Sequence, residues 1–252
     1  MAYSVAIRIL STPGLCTEVE SNTFAHKFLV NFVQNSVILY GESFVSFNVH
    51  GLIHLATDVM RFGPLMDFSA FPIENHLQGM KKTIRKSQKP LHQYVRRVKE
   101  FELNQIANED EGQEEWFIFK KQHYTGPVLQ NFDEGNQFKQ AFIGKRFLSR
   151  VRDDKANCCV LLNDNSVVVI ENFLLDRNKK PHITGKTFTD PSDFFINPLK
   201  SSVLQIYKVS QLSEMSEIWP LESVAKKCFR IPFLHSDNSF FIFPLIREQV
   251  TF

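Results

Sequence analysis

The chain has no CxxC pair, no glycine-rich phosphate loop, no GxSxG nucleophile turn, and no apolar run of the ~18 residues a membrane helix needs. Each absence removes a class of function. Its four cysteines, Cys16, Cys158, Cys159 and Cys228, are too few and too badly spaced for a disulfide framework or a zinc knuckle. Cys158 and Cys159 are adjacent, so on a strand they project to opposite sides; the expectation is four reduced, partly buried thiols. Gly41, Gly51, Gly63 and Gly79 are scattered and cannot line a phosphate cradle. Arg8 follows directly on a short apolar run and no small-residue cleavage site comes after it, so no signal peptide is expected. These gaps lead to an expectation of an intracellular protein with no membrane partner, no resident cofactor and no small-molecule substrate.

What is present is apolar and aromatic. Hydrophobic residues make up 43% of the 252, and 25 of them are Phe, enough for a sizeable core. The formal net charge is only +2, so any attraction to a polyanion must come from local clustering. Apolar residues at helical spacing predict a helix or short strand over 3–10 and helices over 22–40 and about 48–62. Gly41 and Gly63-Pro64 stand as stops. Phe71-Pro72 opens a third helix with Ile73, Leu77, Met80 and Ile84 inward, and Pro90 opens a fourth with Leu91, Tyr94, Val95 and Val98 inward.

The composition changes after Lys99. Residues 100–115 carry seven acids and no base, which reads as a solvated linker. Beyond it, short runs rich in Val, Ile and Phe alternate with turn residues: 116–119, 158–162, 167–175, 203–209, 225–231 and 240–246. Asn163-Asp164-Asn165-Ser166 is a predicted hairpin turn. The expected fold class is α+β, an N-terminal helical bundle followed by a small antiparallel β-barrel or rolled sheet. The division is a helical domain over 1–101, an acidic linker over 102–114 and a β-rich domain over 115–252, with two separate cores.

Three constellations carry chemistry. His50 and His54, four apart on a helix with Asp58 a turn further, have the spacing of two metal ligands. Gly51 stands where a zinc protease needs Glu and no third ligand is evident, so the expectation is no metal and two histidines at least half buried. Glu74 is either a helix-start carboxylate or a catalytic one. Lys81, Lys82, Arg85, Lys86, Lys89, Arg96, Arg97 and Lys99 form a run of eight cations with no acid among them. Such a block neutralises phosphates without reading bases; it equally fits a solvated helix face, or one that docks on an acidic protein surface. The first reading makes DNA the partner, the last a protein.

The pieces VAIRIL (5–10), LYGESFVSFNVHGLIHLATDV (39–59), FGPLMDFSAFPIENHLQGMKK (62–82) and RKSQKPLHQYVRR (85–97), in this order and spacing, resemble the C-terminal part of transposase-derived proteins of the CACTA (En/Spm) type. AKKCFRIPFL and FFIFPLI resemble, more loosely, the stretch after that segment in animal members. The resemblance implies descent from a transposable element and, if that ancestry is retained, a nuclear location. It also implies an RNase H-like core that uses an Asp-Asp-Glu triad and divalent metal, with Glu74 in the FP-x-EN motif as the third carboxylate. The strands expected to carry the two aspartates do not precede VAIRIL here. The expectation is therefore a catalytically inactive or domesticated, truncated fragment kept for binding, with divalent metal relevant only within a larger transposase core.

Overall fold

Two apolar periodicities divide the chain, and the computed structural model follows them; it describes residues 2–109, 116–128, 136–144, 146–197, 199–233 and 239–245. Helix α1 (Ala2–Ser11) turns into α2 (Val19–Tyr40), which stops at Gly41 with φ 84°, a backbone setting that side-chain-bearing residues resist. Ser46 caps α3 (Phe47–Gly51), its hydroxyl accepting from the Val49 amide at 3.4 Å. A 3-10 turn, Leu52–His54, then leads into α4 (Leu55–Phe62), which Gly63 ends at φ 86°. The helix expected over 48–62 is thus two α segments joined by a tighter turn. Buried Asn22 ties these pieces together, its amide donating to the Cys16 and Ala56 carbonyls, each at 2.9 Å. Helices α5 (Phe71–Thr83) and α6 (Pro90–Glu109) complete this half.

The second half is an antiparallel sheet that rolls without closing. Its strands are β1 (Phe117–His123), β2 (Gln137–Ile143), β3 (Arg146–Ser149), β4 (Cys159–Leu162), β5 (Val167–Leu175), β6 (Pro181–Thr187), β7 (Ser192–Asp193), β8 (Tyr207–Val209), β9 (Glu217–Pro220), β10 (Val224–Pro232) and β11 (Phe240–Pro244). Hydrogen-bonded order is β1-β2-β5-β4-β10-β11-β8-β7, with β3 on β2, β6 on β5 and β9 on β6. The β4–β5 hairpin turns at Asn165, φ 66°, and the Ser166 amide donates to Asp164 Oδ1 at 2.8 Å. Where β3 meets β10 no ladder forms. Instead Arg146 Nη1 donates to the Ala225 carbonyl at 2.9 Å and Lys227 Nζ to the Phe147 carbonyl at 2.8 Å, so side chains hold the seam.

A bulge at Glu171 in β5 changes which side chains reach the interior. Ile170 pairs with Gly185 and Asn172 with Thr184, so one extra residue sits between them. Val168 and Ile170 face the interior of the roll, and the extra residue reverses the alternation so that Phe173 faces inward too. Asn172 is thereby freed for a polar role. The interior is completed by Ala141, Leu148, Val160, Ile183 and Leu221.

The helices and strands do not keep separate cores. Val5, Ile9 and Leu10 of α1, Ala25 and Leu29 of α2, and Ala56 and Val59 of α4 form one buried cluster with Leu204, Ile206, Phe241 and Phe243. The expectation of two cores is corrected by this shared cluster. β11 is FFIFP, apolar on both faces: Phe241 and Phe243 turn to the helices, while Phe240 and Ile242 pack on the cluster around Cys158, Cys159 and Cys228. Arg8, the lone charge of α1, reaches across to donate to the Pro244 carbonyl and lies 5.9 Å from the Phe243 ring centroid. As for the linker, residues 102–109 continue α6 and 110–114 lie outside the described residues. All four cysteines are buried and reduced.

If this joint core is what holds the halves together, Phe241→Ala costs about 3–5 kcal/mol. Thermal or urea unfolding followed by far-UV dichroism, for the helices, and by fluorescence of Trp116 and Trp219, for the second half, should then show both signals shifting to the same lower midpoint. Two separated transitions with only one displaced would mean that helices and strands fold apart.

Candidate functional site

The basic block lies on a helical hairpin. Pro72 in the first turn of α5 needs no amide partner, and Glu74 there complements the positive end of the helix. Lys81 and Lys82 occupy the last turn, where cations are favoured. The chain then turns through Ile84–Lys89 into α6. Lys89 takes φ 48°, a left-handed setting that costs a non-glycine residue about 1 kcal/mol. Gln93 offsets it. Its Oε1 accepts from the amides of Arg85 (3.0 Å) and Lys86 (3.2 Å), and its Nε2 donates to the carbonyls of Lys86 (2.9 Å) and Gln88 (2.7 Å). One side chain thus closes the whole turn. Further along, Tyr94 Oη and His76 Nε2 lie 3.3 Å apart and set the two helices side by side.

Lys81, Lys82, Arg85, Lys86, Lys89, Arg96 and Lys99 are exposed and Arg97 is half-buried. They do not form one even patch. Five crowd the turn, whereas Arg96 and Arg97 lie about 10 Å up α6 at 1.5 Å per residue. There both converge on Glu100, at 3.0 and 2.7 Å. The Arg96 hydrogen bond is the main cause holding the Glu100 carboxyl below the usual carboxylate range. The inward stripe expected of these helices is not covered: Ile73 is 63% and Leu91 72% exposed, and Leu77 and Val95 are exposed as well. Met80, Ile84, Tyr94 and Val98 reach only half burial, and between Phe71 and Glu100 no described side chain is buried. A stripe on a pair of helices needs a third surface to enclose it, and over these residues the described side chains find none that buries them.

The other candidate residues lie elsewhere. His50 and His54 are exposed, not half buried, with ring centroids 5.5 Å apart. The 3-10 turn between them tightens the helix, and Ala56 and Val59 take the inward positions of α4. Asp58 is half-buried, and Glu74 and Asp67 are exposed. Among the described residues no group of three or more His, Cys, Asp or Glu side chains is placed to hold a metal. No described helix is long and apolar enough to cross a membrane.

Sequence reasoning missed a buried polar network at the end of the roll. His123 Nε2 bonds Asn172 Oδ1 at 3.0 Å, and the Thr125 amide donates to His123 Nδ1 at 3.0 Å, which leaves the ring proton on Nε2. Asn172 Nδ2 donates to Gln137 Oε1 (2.9 Å) and to the Pro127 carbonyl (3.2 Å), and the Gly126 amide donates to Gln137 Oε1 at 2.9 Å. Arg150 Nη1 sits within 3.1 Å of both ring nitrogens of His123, and its Nε donates to Asp153 at 2.6 Å. A Cβ on Gly126 would lie 2.2 Å from Asn172 Nδ2, so only glycine allows the connecting segment this close. His123, Gln137, Arg150 and Asn172 are all buried, and every one is bonded. Such a network fixes the segment after β1 against the sheet. Its members come from sites up to 49 residues apart, with no motif to join them.

Residues 122–245 match a family described only as a domain of unknown function, DUF8592. The match takes in the whole polar network and most of the strands, and leaves the helices outside. No curated protein matches the chain.

Two measurements test these arrangements. Gln93→Ala removes all four clamp bonds, and the Arg85 and Lys86 amides should then exchange hydrogen about tenfold faster, the equivalent of one to two lost hydrogen bonds. Unchanged exchange would mean that the turn is held some other way. Burial first, then the neighbouring Arg150 charge, holds His123 below the ordinary histidine range. Stability from this group is complete above the unfolded value of about 6.5. It falls as pH drops from there toward the folded value, because the unfolded chain takes up a proton that the folded chain refuses. His123→Gln should flatten the dependence of Tm on pH in that window, and an identical slope in the variant would contradict the assignment.

Proposed function

We propose that this chain is a nucleic-acid-associated protein of transposable-element ancestry that grips phosphate backbones, without reading bases, through the basic turn of the α5–α6 hairpin. The observation that carries the reading is the turn itself. Five exposed cations, Lys81, Lys82, Arg85, Lys86 and Lys89, crowd nine residues whose backbone Gln93 holds closed. Flexible cations on a fixed turn meet phosphates well and carry no base code. The similarity of 5–98 to CACTA-type proteins supports the same reading and adds a nuclear location. In it the chain acts by binding. Glu74 keeps the place of the third carboxylate, but among the described residues it belongs to no group of three or more His, Cys, Asp or Glu side chains that could hold a metal, so strand-transfer chemistry is not part of this reading.

A second reading has its own support. Exposed Ile73, Leu77, Leu91 and Val95 have no use on a phosphate backbone, and apolar residues exposed four apart on each of two helices suit a protein contact. In that reading the hairpin is an assembly module whose basic turn meets an acidic protein surface.

Fluorescence anisotropy on a short DNA duplex separates the two. About five phosphate contacts predict a slope of log affinity against log salt of roughly −4 to −5. The variant Lys81→Ala/Lys82→Ala/Arg85→Ala/Lys86→Ala should flatten it by about 3 to 4, with the far-UV spectrum unchanged because none of the four is buried. A parent protein that fails to bind duplex at low salt, or a variant that binds like the parent, would hand first place to the assembly reading.

A further inference from the structure

The hairpin is not the chain's only cationic surface. Strands β1, β2, β3 and β10 together carry seven Lys and Arg residues and no Asp or Glu, and two of the seven, Lys120 and Lys227, lie over the rings of Phe142 and Phe147. Over 117–120, 140–143 and 146–149 the register pairs Ile118 with Phe142, Phe142 with Phe147, and Lys120 with Gln140. These side chains therefore leave the sheet on one side, while Ala141, Ile143 and Leu148 fill the roll on the other. Phe142 and Phe147 stand side by side with ring centroids 5.1 Å apart, half-buried, and neither belongs to any of the three apolar clusters. Lys120 Nζ lies 4.8 Å from the Phe142 centroid and Lys227 Nζ 5.8 Å from that of Phe147. Asp154 is an acid in the adjoining loop, and its carboxylate is already taken by the Ala156 amide and the Asn157 side chain.

We propose that this outer face of β1–β3 binds single-stranded nucleic acid, with Phe142 and Phe147 stacking on bases and Lys120 holding the strand's phosphates. The inference is independent of the hairpin and stands or falls without it. Charge complementarity selects the ligand: a face whose strands carry cations and no acid calls for a polyanion. The rings narrow it further, since a duplex hides its base faces and a bare phosphate has none, whereas an unpaired strand offers planar bases and phosphates in alternation. In the free protein Lys120 rests on the Phe142 ring. On binding it swings to a phosphate and gives the ring face to a base. Lys227 stays in place, because it also donates to the Phe147 carbonyl and to Asn157 in the seam of the roll. Recognition is by stacking, so the surface tolerates any sequence.

The test uses the full chain with fluorescent oligothymidylate and oligouridylate of about 15 nucleotides, and an abasic sugar-phosphate strand of the same length. The parent should bind either base-bearing strand more tightly than the abasic one, and the tighter of the two names the natural source as DNA or RNA. Phe142→Leu/Phe147→Leu keeps an apolar side chain at each site but removes the π face. It should lose about tenfold per ring on the base-bearing strand and little on the abasic one. Lys120→Gln, at an exposed position, should flatten the salt slope by about 0.7. The fourfold hairpin variant should keep its preference for bases over the abasic strand. Should the double Leu variant not fold, 4-thiothymidine crosslinking of the parent still decides, with adducts expected within 118–147. Equal affinity for abasic and base-bearing strands, a folded Leu variant that keeps its preference, or crosslinks confined to the hairpin would each overturn the proposal.

Discussion

A strand that is apolar on both faces has no side to show to water, and β11 is such a strand. Phe240 and Ile242 close the cluster around Cys158, Cys159 and Cys228, while Phe241 and Phe243 need a second apolar layer above them. Helices α1, α2 and α4 are that layer. Their own inward stripe is equally incomplete without the strand, since Val5, Ile9 and Leu29 share one buried cluster with the two phenylalanines. Each half thus supplies the surface that the other lacks. Arg8 marks the join: it is the one charge in an apolar helix, and it gives a hydrogen bond to the last residue of β11.

Away from that join the molecule becomes less dense. The α5–α6 hairpin has no buried side chain among those described, and its order is local, resting on Gln93 in the turn and on the contact of Tyr94 with His76. At one end of the roll a buried polar network adds to the apolar interior. The bulge at Glu171 turns Asn172 out of the core alternation and into a network that a glycine at 126 alone can approach. The matched domain family begins one residue before His123 and so takes in the whole of this latch.

Much of the fold is legible in the sequence because it obeys short-range rules. The helical spacing of Phe24, Phe28, Leu29 and Phe32, the stops at Gly41 and Gly63, and the turn at Asn163–Ser166 all appear where the periodicity and turn chemistry place them. Strands β2 (QFKQAFI) and β6 (PHITGKT) escape such a reading, because half their residues are polar and a mixed strand leaves no run to detect. The shared core is hidden for a different reason. Composition reports where a period changes, not whether the two sides of the change touch. Partial burial of His50 and His54 follows from spacing only on one regular helix, and the 3-10 turn between them alters which residues face inward. The eight cations can be found from sequence, but not their division into a crowded turn and a pair sharing Glu100.

The seam between β3 and β10 differs in kind from the rest of the roll. A β-ladder belongs to the main chain, so apart from proline, which removes the N–H, a substitution leaves its bonds in place and most sequence drift leaves it standing. Arg146 and Lys227 make this seam with side chains, one bond each way across the gap. The hold at this line therefore depends on side-chain identity in a way that a ladder does not. A single codon change can loosen the roll at this line, widen it for a new strand, or replace a cation with a residue that zips it shut, while every other strand keeps its partner.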